Sequence, residues 1–231
     1  MRTTESALFT TLATATTVLA FSSIAAADIV GFTEDFTTGS ANWRNAGGTV
    51  DLEWAASGGY DGGAYATSVF NLAGTTPGGF PPTVIRAHAA YGSSGGAYVG
   101  DWIEAGVTGV SFWFRHNLAE AVTVTGRFAT PNNTPGASVV SFAPVAANTW
   151  TLVSFDLTEG SSQIVSLGGG TYSAIFSNVG NMQFGFTVPP ALAGTNFDGR
   201  FDIAGFSIVP APGALAVIGL AGMAARGRRR S

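Results

Sequence analysis

Asp51 and Glu53 stand two residues apart in a run that alternates these acids with Val50, Leu52 and Trp54. On one strand that spacing puts both carboxylates on the same face about 6.6 Å apart, near the ~5 to 5.5 Å of a retaining glycosidase. No third acid stands in the run to tune either one, so two solvated acids on an outer face are the competing reading. Gly92-Ser93-Ser94-Gly95-Gly96 has the form of a nucleophile elbow, which acts only on a strand-to-helix turn with acid and histidine partners. Here it precedes the strand-like Ala97-Tyr98-Val99, with His116 as the one later histidine, and a turn is expected. His88 and His116 lack a nearby histidine partner and read as polar strand positions rather than metal ligands. The richest binding chemistry lies in 110–128, read as a hairpin with a loop at 117–121. Pairing His116 with Val122 sets Arg115 opposite Thr123, Trp113 opposite Thr125 and Ser111 opposite Arg127, away from Phe112 and Phe114. Trp113, Arg115, Thr125 and Arg127 then form one face where a sugar ring could stack on the indole and bond its hydroxyls to Arg and Thr.

Composition removes several other chemistries. The 231 residues contain no Cys, which excludes a disulfide scaffold, a thiolate zinc site and a cysteine nucleophile. All ten basic residues are Arg, so neither a Schiff-base lysine nor a P-loop lysine exists. Between the first few residues and the tail, five Arg face thirteen Asp and Glu. Such a body repels a phosphate backbone, and nucleic acid is not an expected partner.

The elements that must carry these groups are strands. Residues 28–208, enough for one domain, show no helical period. Period-two alternation recurs instead at Val110-Phe112-Phe114, Val122-Val124-Phe128, Thr151-Val153-Phe155-Leu157 and Met182-Phe184-Phe186-Val188. Gly, Pro, Asn and Ser clusters at 75–82, 131–136 and 168–170 bound these runs. Many short strands so spaced predict an all-β sandwich or barrel.

The two ends read as addresses. Residues 1–27 run from Met1-Arg2 through a moderately apolar stretch to Ala25-Ala26-Ala27, the order of a secretory signal peptide. Ala25 and Ala27 would flank the cut, with Asp28 the first mature residue. At the other end, Val209-Pro210-Ala211-Pro212 precedes twelve apolar or small residues at 214–225 and a cluster of Arg226, Arg228, Arg229 and Arg230. The prolines are expected to break any strand leaving Phe206-Ser207-Ile208. A helix of that length covers only about 18 Å of a ~30 Å hydrocarbon core, so contact with the membrane would be transient. The arginines behind it would stay cytoplasmic. This Pro-x-Pro element, apolar span and Arg cluster over 209–231 resemble the PEP-CTERM sorting signal of exported bacterial proteins, departing from it by Ala211 in place of Glu. The resemblance implies signal peptidase and exosortase as partners, and the bacterial cell surface, outer envelope or extracellular matrix as destination.

The body resembles jelly-roll carbohydrate-binding-module-like domains, through Glu34-Asp35-Phe36 to Asn42-Trp43, the run 148–157, and Phe201-Asp202-Ile203 to Ile208. That resemblance implies a jelly-roll-like β-sandwich and a structural calcium ion between first and last strands, for which the matching carboxylates are Glu34, Asp35, Asp198 and Asp202. The expected function is an exported, non-catalytic β-sandwich. The alternatives are a carbohydrate-binding module, with extracellular polysaccharide as partner, and a secreted glycosidase acting through Asp51 and Glu53. Replacing Arg226, Arg228, Arg229 and Arg230 by Ser is expected to release more protein to the medium, read by immunoblot of cells and supernatant. Unchanged retention contradicts the sorting role.

Overall fold

The computed structural model describes residues 29–211. The expected signal peptide with its cut at Ala25, Ala27 and Asp28, and the tail from Pro212 through Arg226, Arg228, Arg229 and Arg230, lie outside them.

Among the described residues, twelve strands form two antiparallel sheets. The first sheet contains β3 (Glu53–Ala55), β4 (Tyr65–Asn71), β12 (Asp198–Pro210), β6 (Val107–His116) and β9 (Thr151–Asp156) in that order. The short β1 (Thr33–Glu34) adds to the far half of β12, pairing Thr33 with Ser207. The second sheet runs β10 (Ile164–Gly168), β8 (Gly136–Val145), β7 (Val122–Ala129), β11 (Asn181–Phe186), β5 (Thr83–His88) and β2 (Arg44–Asn45). The one α-helix among the described residues is the single turn α1 (Tyr172–Phe176), and no described helix is long and apolar enough to cross a membrane. The sheets face each other as a jelly-roll-like β-sandwich.

Alternation decides which side chains enter the space between them. Val110, Phe112 and Phe114 on β6, and Val122, Val124 and Phe128 on β7, are buried, while their neighbours Ser111, Trp113, Thr123 and Thr125 are half-buried on the outer faces. Phe112 reaches across to Phe184 of β11, ring centres 4.6 Å apart, and Phe128 and Phe206 pack within 6.2 and 5.8 Å of the same ring. Trp43, wholly buried, sits between Phe36 at 5.3 Å and Phe206 at 5.4 Å.

Four expectations are corrected. The hairpin of 110–128 does not form: β6 pairs with β12 and β9, whereas β7 pairs with β11 and β8. The connection crosses from one sheet to the other because Leu118 is wholly buried, while Asn117 accepts a bond from the Arg200 amide at 2.7 Å. Asp51 and Glu53 share no strand either. Asp51 bridges to Arg44 beside the second sheet, Glu53 pairs with Thr67 in the first, and buried Leu52 marks the crossing, leaving Val50 60% exposed. Ala97-Tyr98-Val99 begins no strand, because Tyr98 is buried in consecutive tight turns and Trp102 donates its indole N–H to the Tyr98 carbonyl at 2.7 Å. Finally, β12 continues through Val209 and Pro210, two residues past the expected end of the body at 208. Pro210 is tolerated because the register with β6 shifts between Val209 and Pro210, a bulge at which the missing N–H breaks no regular ladder bond.

Phe112→Ala is expected to cost about 3 to 5 kcal/mol, since it empties the contact between sheets. Thr125→Ala, on the outer face, should stay within about 0.5 kcal/mol. Chemical denaturation of the full chain measures both, and equal losses contradict the assignment of inner and outer faces.

Candidate functional site

The outer face of the first sheet holds Trp113 and Arg115, and it is roofed by the chain's own residues. The loop 56–64 folds back through Gly59 N–H to the Gly63 carbonyl at 2.8 Å and the Gly63 N–H to Asp61 Oδ1 at 2.8 Å. Tyr60 at its tip stacks on Trp113, centroids 4.5 Å apart and planes 7° from parallel, and Trp150 donates its indole N–H to the Gly58 carbonyl at 3.1 Å. Gly205, at φ +52°, bulges under this stack, and a Cβ there would come within 3.1 Å of the Tyr60 ring. Below the aromatics, Asp202 is wholly buried and accepts Arg115 Nε at 2.7 Å, with an Arg200 amino group 3.3 Å from the same oxygen. Arg115 is held besides against Trp150, 4.4 Å from its ring centre. The indole face expected to receive a sugar is thus covered by Tyr60.

The outer face of the second sheet is open. Strand register aligns six polar side chains in one row across it: Ser166, Ser138, Arg127, Gln183, Arg86 and Arg44. Five interstrand steps of about 4.8 Å give a row roughly 24 Å long. A parallel row holds Val140, Thr125, Gly185 and Thr83. Loops wall this floor on two sides. Loop 75–82 rises beside Gly185, where a Cβ would strike the Pro82 carbonyl oxygen, and carries Phe80, 99% exposed. Loop 130–135 brings in Asn133, whose Oδ1 accepts from Arg127 at 2.9 Å and from Gln183 Nε2 at 2.8 Å, while its carbonyl accepts a second Arg127 donor at 2.7 Å. The groove has a volume of about 380 Å³, within the range of small-ligand sites. Its floor offers Thr83, Thr125, Arg127, Ser138 and Gln183, and its apolar flanks are Phe80, Pro81, Val140 and Val165.

His88, expected as a polar strand position, ends β5 beside the groove. Gln183 Nε2 lies 3.2 Å from His88 Nε2, and the His88 ring stacks on Tyr91 with centroids 4.8 Å apart. Burial first, and then the charges of Arg86 and Arg127, lower its pKa to about 4. Neutral at pH 7, the ring can accept the Gln183 amide proton at Nε2. Burial also lowers the pKa of His116, which ends β6 with Nε2 3.0 Å from the Val145 carbonyl.

Of the four residues expected to form one ligand face, Thr125 and Arg127 line the groove, whereas Trp113 and Arg115 lie on the opposite outer face. Asp51 lies 3.4 Å from Arg44, and neither it nor Glu53 lines the groove. The carboxylates expected to hold calcium do not converge. Glu34 pairs with Phe206, eight residues along β12 from Asp198, which is roughly 26 Å. Glu34 accepts the Phe36 amide, Asp198 accepts from Asn71, Asp35 is exposed, and both Arg115 and Arg200 engage Asp202. No group of three or more acid or histidine side chains among the described residues could hold a metal ion, so these four do not fit one. In the serine motif, Ser93 Oγ donates to the Asn42 carbonyl at 2.9 Å and Ser94 Oγ accepts the Trp43 indole at 2.8 Å. The turn anchors a core tryptophan.

The sequence reading missed Phe80, Thr83, Ser138 and Gln183, which only cross-strand register brings together. One signal was present: Phe80 lies among Gly78, Gly79, Pro81 and Pro82, an aromatic inside a turn cluster.

No protein-family model matches the sequence, and no curated protein matches it. Among solved structures the chain is similar to the CBM22-1 and GH10 modules of endo-1,4-beta-D-xylanase 10B of Clostridium thermocellum in complex with xylohexaose. The identity is 14%, the TM-score 0.47 and the coverage 80% of this chain, which spans 28% of the length of that one. It is similar also to the family 11 carbohydrate-binding module of cellulase Lic26A-Cel5E of the same organism, with 12% identity over 79% of this chain and 96% of that one, TM-score 0.46. A third likeness is to the CBM22-1 xylan-binding domain of Paenibacillus barcinonensis Xyn10C, with 13% identity, 79% and 98% coverage and TM-score 0.43.

A histidine with a lowered folded-state pKa favours folding less as the unfolded chain takes up its proton. The stability lost on this account therefore accrues as pH falls from about 6.5 towards 4, where the folded ring also protonates. Wild type is expected to lose about 2 to 3 kcal/mol more than His88→Gln between pH 7 and pH 4, measured by denaturation of each at both pH values. Parallel losses contradict the buried neutral histidine.

Proposed function

We propose that the chain is an exported, non-catalytic protein of the bacterial cell surface or extracellular matrix whose β-sandwich binds polysaccharide in the groove on the second sheet. One observation carries the binding reading: an open, walled groove floored by a cross-strand row of hydrogen-bonding groups and edged by the fully exposed Phe80. A sugar chain needs polar floor contacts for its hydroxyls and an apolar surface for its ring faces. The non-catalytic reading is supported by the lining of the groove, which holds no carboxylate and hence no acid–base pair for glycoside hydrolysis.

Export is supported by the order of residues in 1–27 and 209–231. The two ends of the body also lie together, with Thr33 paired to Ser207 and the Ile208 amide donating to the Phe32 carbonyl at 3.0 Å. A body held at that point belongs to the first sheet there and carries its groove on the second.

The test is affinity electrophoresis of the full chain against xylan, mixed-linked β-glucan, alginate and carrageenan. At least one is expected to retard it. Phe80→Ala should then weaken retardation about tenfold, equivalent to about 1.4 kcal/mol, with the melting temperature unchanged, while Trp113→Phe leaves retardation intact. Retardation by none of the four, or loss with Trp113→Phe alone, contradicts the reading.

A further inference from the structure

The distribution of the arginines says more about the ligand. Of the five in the body, Arg115 and Arg200 are both held by the buried Asp202 of the first sheet. The other three, Arg44, Arg86 and Arg127, stand in the single row across the second sheet. Arg44 lies 3.4 Å from Asp51. Among the described residues no carboxylate lies within ion-pair distance of Arg86 or Arg127. In a body where acids outnumber arginines thirteen to five, two uncompensated guanidiniums on one open face need an explanation.

Both are also partly withdrawn from water. Arg127 is half-buried, and a Cβ on Gly136 would sit 2.7 Å from its Cζ, so the guanidinium occupies the space that the absent Gly136 side chain leaves. Arg86 is half-buried as well, its Nε donating to the Ala46 carbonyl at 2.8 Å. The two charges are felt nearby: burial and then Arg86 lower the Arg127 pKa, and both arginines lower that of His88 after burial. A negative group would relieve this field.

The hydrogen-bonding inventory agrees. A neutral sugar hydroxyl both donates and accepts, and floors that bind it are best served by carboxylates or amide oxygens as well as donors. Here Gln183 Oε1 accepts from Thr83 Oγ1 at 3.3 Å and Asn133 Oδ1 accepts from Arg127 and Gln183, so both amide oxygens are engaged; beside the Thr125 and Ser138 hydroxyls, the charged groups that remain are guanidiniums, which can only donate. Asn133 engages two of the five donors on Arg127. A carboxylate or sulfate only accepts, and its paired oxygens match the guanidinium fork. Arg86 and Arg127 stand two strands apart with Gln183 between them, so their backbones are separated by roughly 10 Å. That spacing suits a polymer with repeated charges better than one small anion.

Arg127 lines the groove, and Arg86 lies just outside its lining, one strand beyond Gln183. Resting on the reading of the groove as a polysaccharide site, we propose that its ligand is an anionic polysaccharide whose carboxylate or sulfate groups bind Arg127 in the groove and Arg86 beside it. The test uses the full chain in affinity electrophoresis with alginate for carboxylate, carrageenan for sulfate, and mixed-linked β-glucan as the neutral polymer. One or both acidic polymers should retard the chain at least tenfold more strongly than the glucan. The difference should shrink when salt is raised from about 0.01 M to about 0.15 M, where the screening length falls from ~30 to ~8 Å. Which polymer acts better tells carboxylate from sulfate. Arg86→Gln and Arg127→Gln should each weaken acidic-polymer binding about tenfold, with folding checked by circular dichroism, and Arg127→Lys should restore it only in part. Arg200→Gln, on the other sheet, should leave it unchanged. Glucan binding as strong as that of the acidic polymers overturns the anionic assignment and leaves the polysaccharide reading standing. Failure of all three polymers and of xylan overturns both. Acidic-polymer binding untouched by Arg86→Gln and Arg127→Gln places the anion elsewhere and overturns this assignment.

Discussion

Phe112 of β6 and Phe184 of β11 meet from opposite sheets at 4.6 Å, and the aromatic core gathers around that contact. Phe128, Phe155 and Phe206 surround the pair, and Trp43 closes one side, stacking 6.1 Å from Phe184. Because each strand offers every second residue to this core, the intervening residues are forced onto two outer faces. What either face can do is then decided by loops and charge rather than by the strands.

The two faces have been used differently. On the first, Tyr60 covers the Trp113 ring and Asp202 compensates two arginines, so the indole and the ionic groups of that face are engaged within the fold. A buried carboxylate left without those partners would carry a large desolvation cost, which makes this face a poor candidate for opening. On the second, the central strand β11 is buried on both sides, inward by Met182, Phe184 and Phe186 and outward by Asn181 and Gln183 beneath the walls of the groove. Its outward polar groups are linked to Asn133, His88 and Thr83, so the floor is held in place before any ligand arrives. Preorganisation of that kind lowers the entropic cost of binding.

The inner faces were legible in the sequence because one period-two rule governs them, and the alternations of 110–114, 122–128 and 182–188 all point Phe and Val into the core. Partnership between strands was not. Val110 to Phe128 carries the pattern of a hairpin, yet the burial of Leu118 sends the chain across the end of the sandwich, a choice that no local pattern records. The same failure separated Asp51 from Glu53 and Trp113 from Arg127. Thr125 and Arg127 were found because they alternate with core residues, whereas Gln183 lies in a strand buried on both sides and Phe80 in a loop. The register that sets Ser166, Ser138, Arg127, Gln183, Arg86 and Arg44 in one row joins residues up to 139 positions apart, from Arg44 to Gln183.

The central claim is that ligand is taken up on the outer face of the second sheet. Hydrogen–deuterium exchange of the full chain with and without a polysaccharide that retards it tests this most directly, because the groove walls are loops whose amides exchange readily. Slowed exchange in 75–82 and 130–135, with 56–64 unchanged, is the predicted result. Slowed exchange in 56–64, with the two groove loops unaffected, would place the ligand on the Trp113 face and contradict the account.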